Sequence, residues 1–145
     1  MEIRSMEMRL DNLEAREITG IAVPYETVAN GEMFARGSVT LDPNAMILWQ
    51  HDRTEPIGRI VAGESTERGF EIRAKLSETA RGNDALTLLR DGVISSFSVG
   101  FEMRDAERNA EGVTVVTDAF CKEISLVSIP WYPTAKVENV REQDP

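Results

Sequence analysis

Short runs of alternating apolar and polar residues follow one another along the chain and predict β-strands. Residues 17–25 are rich in Ile, Thr and Val, and Gly20 among them indicates a bulge. Residues 57–62 and 70–76 are two further strand-like runs, separated by a polar stretch that glycines bound. We therefore expect a first core strand, followed later by an antiparallel hairpin.

The spacing of the apolar residues changes between residues 79 and 91, where it fits a helix. Gly92 follows directly and is a typical helix stop signal. We expect one amphipathic helix here, whose apolar residues are Ala85, Leu86, Leu88 and Leu89. After the helix we expect three more strands, at residues 93–101, 113–116 and 123–129. A turn at residues 105–112 is expected between the first and the second of them.

The two stretches that precede the predicted hairpin, residues 30–43 and residues 45–50, predict different structures. Residues 30–43 contain Gly31, Gly37 and Pro43 as turn signals, so we predict a long surface loop. Residues 45–50 are apolar enough to be buried and lead directly into His51. The pattern therefore places this histidine at an edge of the core.

Short strands with one or two helices favour a β-barrel or an α+β domain, with a mainly antiparallel sheet. The 145 residues fit one domain. We assign residues 1–135 to that domain and residues 136–145 to a polar C-terminal tail.

Composition narrows the class of protein. The chain carries 16 basic and 25 acidic residues, so it lacks the positive field that binds nucleic acid, and no nucleic-acid partner is expected. The N-terminal stretch, residues 1–10, lacks the apolar run of a signal peptide, and no window approaches a membrane span. Cys121 is the only cysteine, which excludes an internal disulfide and fits a reducing cytoplasm.

His51 is the only histidine, and a lone histidine is more often structural than catalytic. Imidazole can nevertheless take a hydroxyl proton near neutral pH, because its unperturbed pKa is about 6.5. If the chain uses a serine and histidine couple, the base must therefore be His51.

Several serines could be the nucleophile. Ser95 and Ser96 are interpreted as hydroxyls on the solvent face of a strand. Ser98 differs, because Gly100 two residues later would let a substrate chain approach closely. Ser98 is the candidate that fits peptide cleavage.

A catalytic histidine needs a group that orients it, usually a carboxylate. Glu123 opens an otherwise core-like strand, although a solvated strand end would explain it as well. Asp52 is adjacent to His51, but neighbouring side chains on an extended chain point apart, so Asp52 is the weaker candidate.

Other chemistry has no support in the sequence. There is no phosphate-binding loop, no His/Cys metal spacing and no Gly-x-Ser-x-Gly elbow. The pair Asp105 and Glu107 fits a solvated turn better than a calcium loop. No cofactor and no metal are expected.

Three segments of the sequence stand out together by their order and spacing. They are His51-Asp52 with Ile57-Gly58-Arg59, then Gly92-Val93-Ile94 leading to Ser98-Val99-Gly100-Phe101, then Glu123-Ile124-Ser125-Leu126-Val127 with Pro130. Taken together they resemble the HK97-type prohead serine protease family of tailed phages. The stretches at residues 20–25 and 34–38 are also similar to that family, although the usual proline-glycine entry to the second appears here as Arg36-Gly37.

The resemblance implies a β-barrel with flanking helices, related to herpesvirus assemblin proteases, and a catalytic triad carried by Ser98, His51 and Glu123. It implies a protease inside the procapsid, in the host cytoplasm, that cleaves scaffold segments of the major capsid protein and itself, and that self-associates. Gly100 and Arg59 are possible neighbours of the oxyanion.

Two other functions stay open. The first is a non-catalytic virion assembly protein with the same barrel. The second is an esterase-like hydrolase, which the missing nucleophile elbow makes less suitable.

Overall fold

The structure, a computed structural model, describes residues 16–130, 132 and 135–141. The prediction about residues 1–10, and residues 142–145 of the predicted C-terminal tail, therefore fall outside the described residues. In chain order the elements are β1 (Glu17–Pro24), β2 (Glu32–Phe34), β3 (Val39–Leu41), β4 (Met46–Trp49), β5 (Asp52–Ser65), β6 (Gly69–Leu76), α1 (Ala80–Arg90), β7 (Ser96–Arg108), β8 (Thr114–Val127) and β9 (Val137–Arg141).

Strand β8 organises the sheet because it has partners along both edges. Strand β7 pairs with one edge in an antiparallel hairpin. The short strands β2, β3 and β4 follow one another along the other edge, and all three are parallel to β8. From β4 the sheet continues through β5, β6, β1 and β9 in antiparallel pairs. The predicted α+β class and mainly antiparallel sheet are confirmed.

The predicted closed barrel is wrong, because the sheet does not close on itself. Strand β9 forms its ladder with β1, and only an isolated bridge between Ser96 and Lys136 connects this side to β7. Backbone bonds from Phe97 N to Ala135 O (2.8 Å) and from Val137 N to Ser95 O (2.8 Å) support that bridge. Because these hydrogen bonds are confined to one bridge, β9 and β7 do not form a ladder with each other.

Gly20 allows strand β1 to lie close to the backbone of Lys136. A β-carbon at this position would lie 2.2 Å from the backbone oxygen of Lys136, so no side chain fits. The register of β1 against β9 shifts between Thr19 and Gly20, which agrees with the bulge predicted at this glycine.

Helix α1 is present where the sequence predicts it, and it is the only helix within the described residues. Thr79 caps its start by accepting a hydrogen bond from the backbone N–H of Gly82 at 3.0 Å. Gly92 follows its end with φ of +74°, a conformation that favours glycine. Ala85, Leu86 and Leu89 form the buried face.

The predicted surface loop at residues 30–43 is wrong. Phe34 on β2 is 1% exposed and Val39 on β3 is buried, because both strands add to the edge of β8. Each strand has only three residues, which is too short for an alternating pattern to be recognised in the sequence.

The end of the chain also differs from the prediction. The two strands expected at residues 113–116 and 123–129 fall largely within the single strand β8, and β7 continues through the first half of the predicted turn to Arg108. Strand β9 lies in the stretch treated as a polar tail, where its residues pair with β1.

Candidate active site

His51 lies in the two-residue turn that joins β4 to β5. Gln50 and His51 both have left-handed backbone angles, with φ of 53° and 59°, and Trp49 pairs with Asp52 on either side of them. This is the turn geometry that matches the twist of a tight hairpin, but glycine and asparagine usually occupy such positions. The turn therefore needs support from its surroundings.

Strand β8 supplies that support. The backbone N–H of Gln50 donates to Leu126 O at 2.9 Å, and that of His51 donates to Ser125 Oγ at 3.0 Å. The amide side chain of Gln50 donates to Ser128 Oγ at 2.7 Å and accepts from Ser128 N at 3.2 Å. Two hydrogen bonds thus attach the turn to β8, and two more attach it to Ser128, the residue that follows β8.

The imidazole of His51 is held by Glu123. Its Nδ1 atom lies 2.7 Å from Glu123 Oε1. An ionised carboxylate can only accept, so Nδ1 carries the hydrogen and donates it. The other ring nitrogen, Nε2, is then unprotonated in the neutral ring and can accept a proton.

Glu123 has little solvent around it, since its side chain is 16% exposed. Gly100 faces it across the β7–β8 pair, and a β-carbon there would lie 2.5 Å from Glu123 Cγ. The missing side chain of Gly100 therefore makes room for the carboxylate. Arg53 approaches to 3.9 Å but is 89% exposed, so water screens its charge.

Ser98 lies on the same face of the sheet. It is paired with Ser125 in the register that pairs Gly100 with Glu123. Because side chains alternate along a strand and paired residues share a face, Ser98, Glu123 and Ser125 point to the same side. Ser98 is half-buried.

Ser98 and His51 both line one cavity of about 360 Å³. The hydrogen bonds of the described residues do not include one between Ser98 and His51. Catalytic hydrogen bonds are often long without substrate and tighten in the complex. Ser98 and His51 thus line the same cavity, and the imidazole of His51 is already oriented by Glu123.

The cavity walls are mainly apolar and include the four aromatic residues Phe34, Phe97, Phe101 and Tyr132, and Glu32 also lines the cavity. Burial raises the pKa of Glu32. Burial, and then the nearby charge of Glu32, raise the pKa of Tyr132. The hydroxyl of Tyr132 donates to the backbone oxygen of Glu32 at 3.2 Å.

Other residues considered in the sequence lie away from this chemistry. Asp52 is exposed and accepts from Thr54 N (2.9 Å) and Thr54 Oγ1 (2.6 Å), which lowers the pKa of its carboxyl. Arg59 is exposed on β5, outside the residues that line the cavity. Ser96 is 4% exposed, so its predicted place on a solvent face is wrong.

Sequence reasoning missed Ser125 and Gln50. Ser125 is fully buried and stands two residues from Glu123, so the period of a strand could have placed both on one face. Gln50 gave no signal, because its backbone conformation is atypical for its residue type.

Cys121 is buried near the site, and burial raises the pKa of its thiol to about 12. Within the described part of the chain, no group of three or more His, Cys, Asp or Glu residues is placed to hold a metal ion. No helix among those residues is long and apolar enough to cross a membrane.

Comparison with known proteins places the chain in a family of serine proteases. The family described as caudovirus prohead serine protease matches residues 2–144. The chain therefore belongs to that family, which confirms the resemblance found in the sequence.

Two curated relatives give further context. The prohead protease of Escherichia phage T5 is 35% identical over 88 residues, which are 60% of this chain and 41% of that protein. The capsid polyprotein of Pseudomonas phage PAJU2 is 26% identical over 150 residues, which are 97% of this chain and 22% of that protein. The chain thus spans well under half the length of either relative.

Proposed function

We propose that this chain is a serine endopeptidase in which Ser98 is the nucleophile, His51 the general base and Glu123 the group that orients the base. One observation carries the proposal: Nδ1 of His51 lies 2.7 Å from Glu123, and the ring lines the same cavity as Ser98. Membership of the prohead serine protease family supports the class of reaction.

The proposed reaction has two halves. Ser98 Oγ attacks the carbonyl carbon of the peptide bond while His51 Nε2 takes its proton. The charged imidazolium is stabilised by Glu123 and then gives this proton to the leaving amine, so that the C–N bond breaks and an acyl-enzyme remains. Water then attacks the ester with His51 again as base, which releases the new carboxylate and restores Ser98.

The proposed substrates are scaffold segments of the major capsid protein and the protease itself, cleaved inside the procapsid in the host cytoplasm. The family description, which names a prohead protease, supports this assignment. So does the similarity to a protein named as a capsid polyprotein. Self-association of the protease within the procapsid belongs to the same proposal.

The single substitutions Ser98→Ala and His51→Ala test the proposed mechanism. Each variant should abolish processing of a co-expressed capsid precursor, and Ser98→Ala should also abolish covalent labelling by a fluorophosphonate, which reacts with an activated serine. Ser95→Ala is the matched control, because Ser95 is a nearby half-buried serine outside the residues that line the cavity.

Circular dichroism and thermal unfolding should show that all three variants fold. Normal precursor processing by folded Ser98→Ala or His51→Ala would overturn the triad. Absence of both cleavage and labelling in the unmodified protein would favour the non-catalytic assembly protein instead.

A further inference from the structure

The cavity beside Ser98 is larger than the hydrolytic reaction itself requires. Its volume is about 360 Å³, near the lower end of the range for ligand pockets. Most of its walls lie away from the Ser98 and His51 side chains. A space of this size next to a nucleophile is suited to one side chain of the substrate.

The walls suit a long, apolar stem. Phe34 packs edge-on against Phe101 with ring centroids 5.0 Å apart, and against Tyr132 at 5.8 Å. Phe97 and Val99 add further apolar surface from β7. Methylene groups enclosed by such rings lose contact with water, which favours their binding.

One acidic side chain lies within these apolar walls. Glu32 stands two residues before Phe34 on β2, so both side chains lie on the same face of that strand. The hydrogen bond from Tyr132 Oη to the Glu32 backbone oxygen, 3.2 Å, connects this strand to Tyr132, which lines the same cavity. The acid is therefore held beside the aromatic rings.

Glu32 has no cationic partner among the described residues. Burial is the only cause of its raised pKa, with no neighbouring positive charge to oppose it. A partly buried carboxylate without a counter-charge is unfavourable, and a cation brought by a ligand would relieve this cost.

We infer that this cavity binds the substrate side chain next to the scissile bond, that the side chain is lysine or arginine, and that Glu32 determines this preference. The stem would lie among Phe34, Phe101 and Tyr132, with the positive head at Glu32. A cation near aromatic faces gains a further attraction. This inference rests on the proposed protease function and names its substrate preference.

Cleavage of a peptide library tests the preference. The library is prepared from a whole proteome with a protease that cuts after Glu, so its peptides retain internal Lys and Arg. The library is then incubated with this protein, and mass spectrometry of the new termini reports each cleavage site. Lys and Arg should be enriched at one of the two positions that flank the cut. A synthetic peptide pair that differs only by Lys or norleucine at that position then gives the ratio of the two kcat/KM values.

Glu32→Gln should reduce this Lys-to-norleucine ratio by about tenfold or more, the lower range for a close interfacial charge pair. The kcat/KM for the norleucine peptide should change little. Glu26→Gln is the matched control, since Glu26 is exposed and outside the lining of the cavity, and it should leave the ratio unchanged.

Fluorophosphonate labelling of Ser98 separates the two proposals. Normal labelling with no enrichment of basic residues, or with an unchanged ratio in Glu32→Gln, would overturn the inference and leave the protease function standing. Loss of both labelling and cleavage in the unmodified protein would overturn the protease function, and the inference with it.

Discussion

Ser125 and His51 are joined by a hydrogen bond from the backbone N–H of His51 to Ser125 Oγ, 3.0 Å long, between residues 74 positions apart. Two residues earlier on β8, Glu123 holds the ring of the same histidine at 2.7 Å. One strand thus positions the histidine at two points, through its backbone and through its imidazole.

Glu123→Gln should lower kcat strongly but less than Ser98→Ala. The amide can present a donor to Nδ1 and so favour the wrong tautomer, while Ser98 and His51 remain. In a well-studied serine protease, losing the orienting carboxylate costs roughly a hundredfold less than losing the serine. Steady-state cleavage of a peptide substrate measures both effects.

Asp52→Asn is the control for Glu123→Gln. Asp52 bonds to Thr54 and not to the ring of His51, so this variant should retain nearly full activity. Full activity in Glu123→Gln together with a strong loss in Asp52→Asn would move the orienting role to Asp52.

Gly100→Ala should impair catalysis through Glu123. The new β-carbon would lie 2.5 Å from Glu123 Cγ and 2.8 Å from Oε1, so the carboxylate must move away from His51. We expect kcat to fall while KM changes little. In the background of Glu123→Ala the same substitution should cost almost nothing more, because the group that it displaces is absent.

Equal losses from Gly100→Ala in both backgrounds would mean that Gly100 acts by a route independent of Glu123. Thermal unfolding of each variant shows whether the hairpin of β7 and β8 has been disturbed.

Ser125→Ala should weaken both stability and catalysis. It removes the acceptor for the backbone N–H of His51, which is held in a left-handed conformation. A fully buried donor without a partner costs about 1–3 kcal/mol of unfolding free energy, and because this N–H is only partly buried we expect a loss of about 1 kcal/mol. Chemical denaturation measures this loss, and kcat should fall as the turn becomes less well positioned.

Ser128→Ala is the matched control for Ser125→Ala. Ser128 is exposed, and among the described residues its hydroxyl bonds to the side chain of Gln50 alone, so the expected change is within about 0.5 kcal/mol. Similar losses in the two variants would contradict a specific role for Ser125.

Cys121 should resist thiol reagents in the folded protein. It is 1% exposed and burial raises the pKa of its thiol to about 12. Iodoacetamide at pH 8 should label it only after unfolding, and cleavage activity should survive the treatment. Rapid labelling of the native protein, followed by mass spectrometry, would contradict this.

The raised pKa of the Cys121 thiol also makes the free energy of unfolding depend on pH. Above about pH 9 the thiol ionises in the unfolded chain but stays protonated in the folded one, so the unfolded state binds fewer protons. The contribution of Cys121 to stability is therefore complete below pH 9 and declines as the pH rises toward 12.

The sequence could nominate two of the candidate site residues from their own type or from a neighbour. His51 has no competitor in the chain, and Gly100 singles out Ser98 among neighbouring serines. The contact between His51 and Glu123 was not visible in periodicity, because it depends on the parallel pairing of β4 with β8. Long-range pairing leaves no local pattern in the sequence.

The fold was predictable where elements are long. Helix α1 has eleven residues with a cap at Thr79 and a stop at Gly92, and its position follows from local rules. Strands β2 and β3 have three residues each, and only pairing with β8 makes them strands. Tertiary contacts decide such short segments more than intrinsic preference does.

The shared face of Ser98, Glu123 and Ser125 also limits where this hairpin can change in length. One residue added or removed between Glu123 and Ser125 would turn one of the two side chains to the opposite face of β8. The exposed turn at residues 109–113 connects β7 to β8 far from these positions and can absorb insertions. We therefore expect length changes to be tolerated at the tip of the hairpin and to be harmful at the end that carries Ser98 and Glu123.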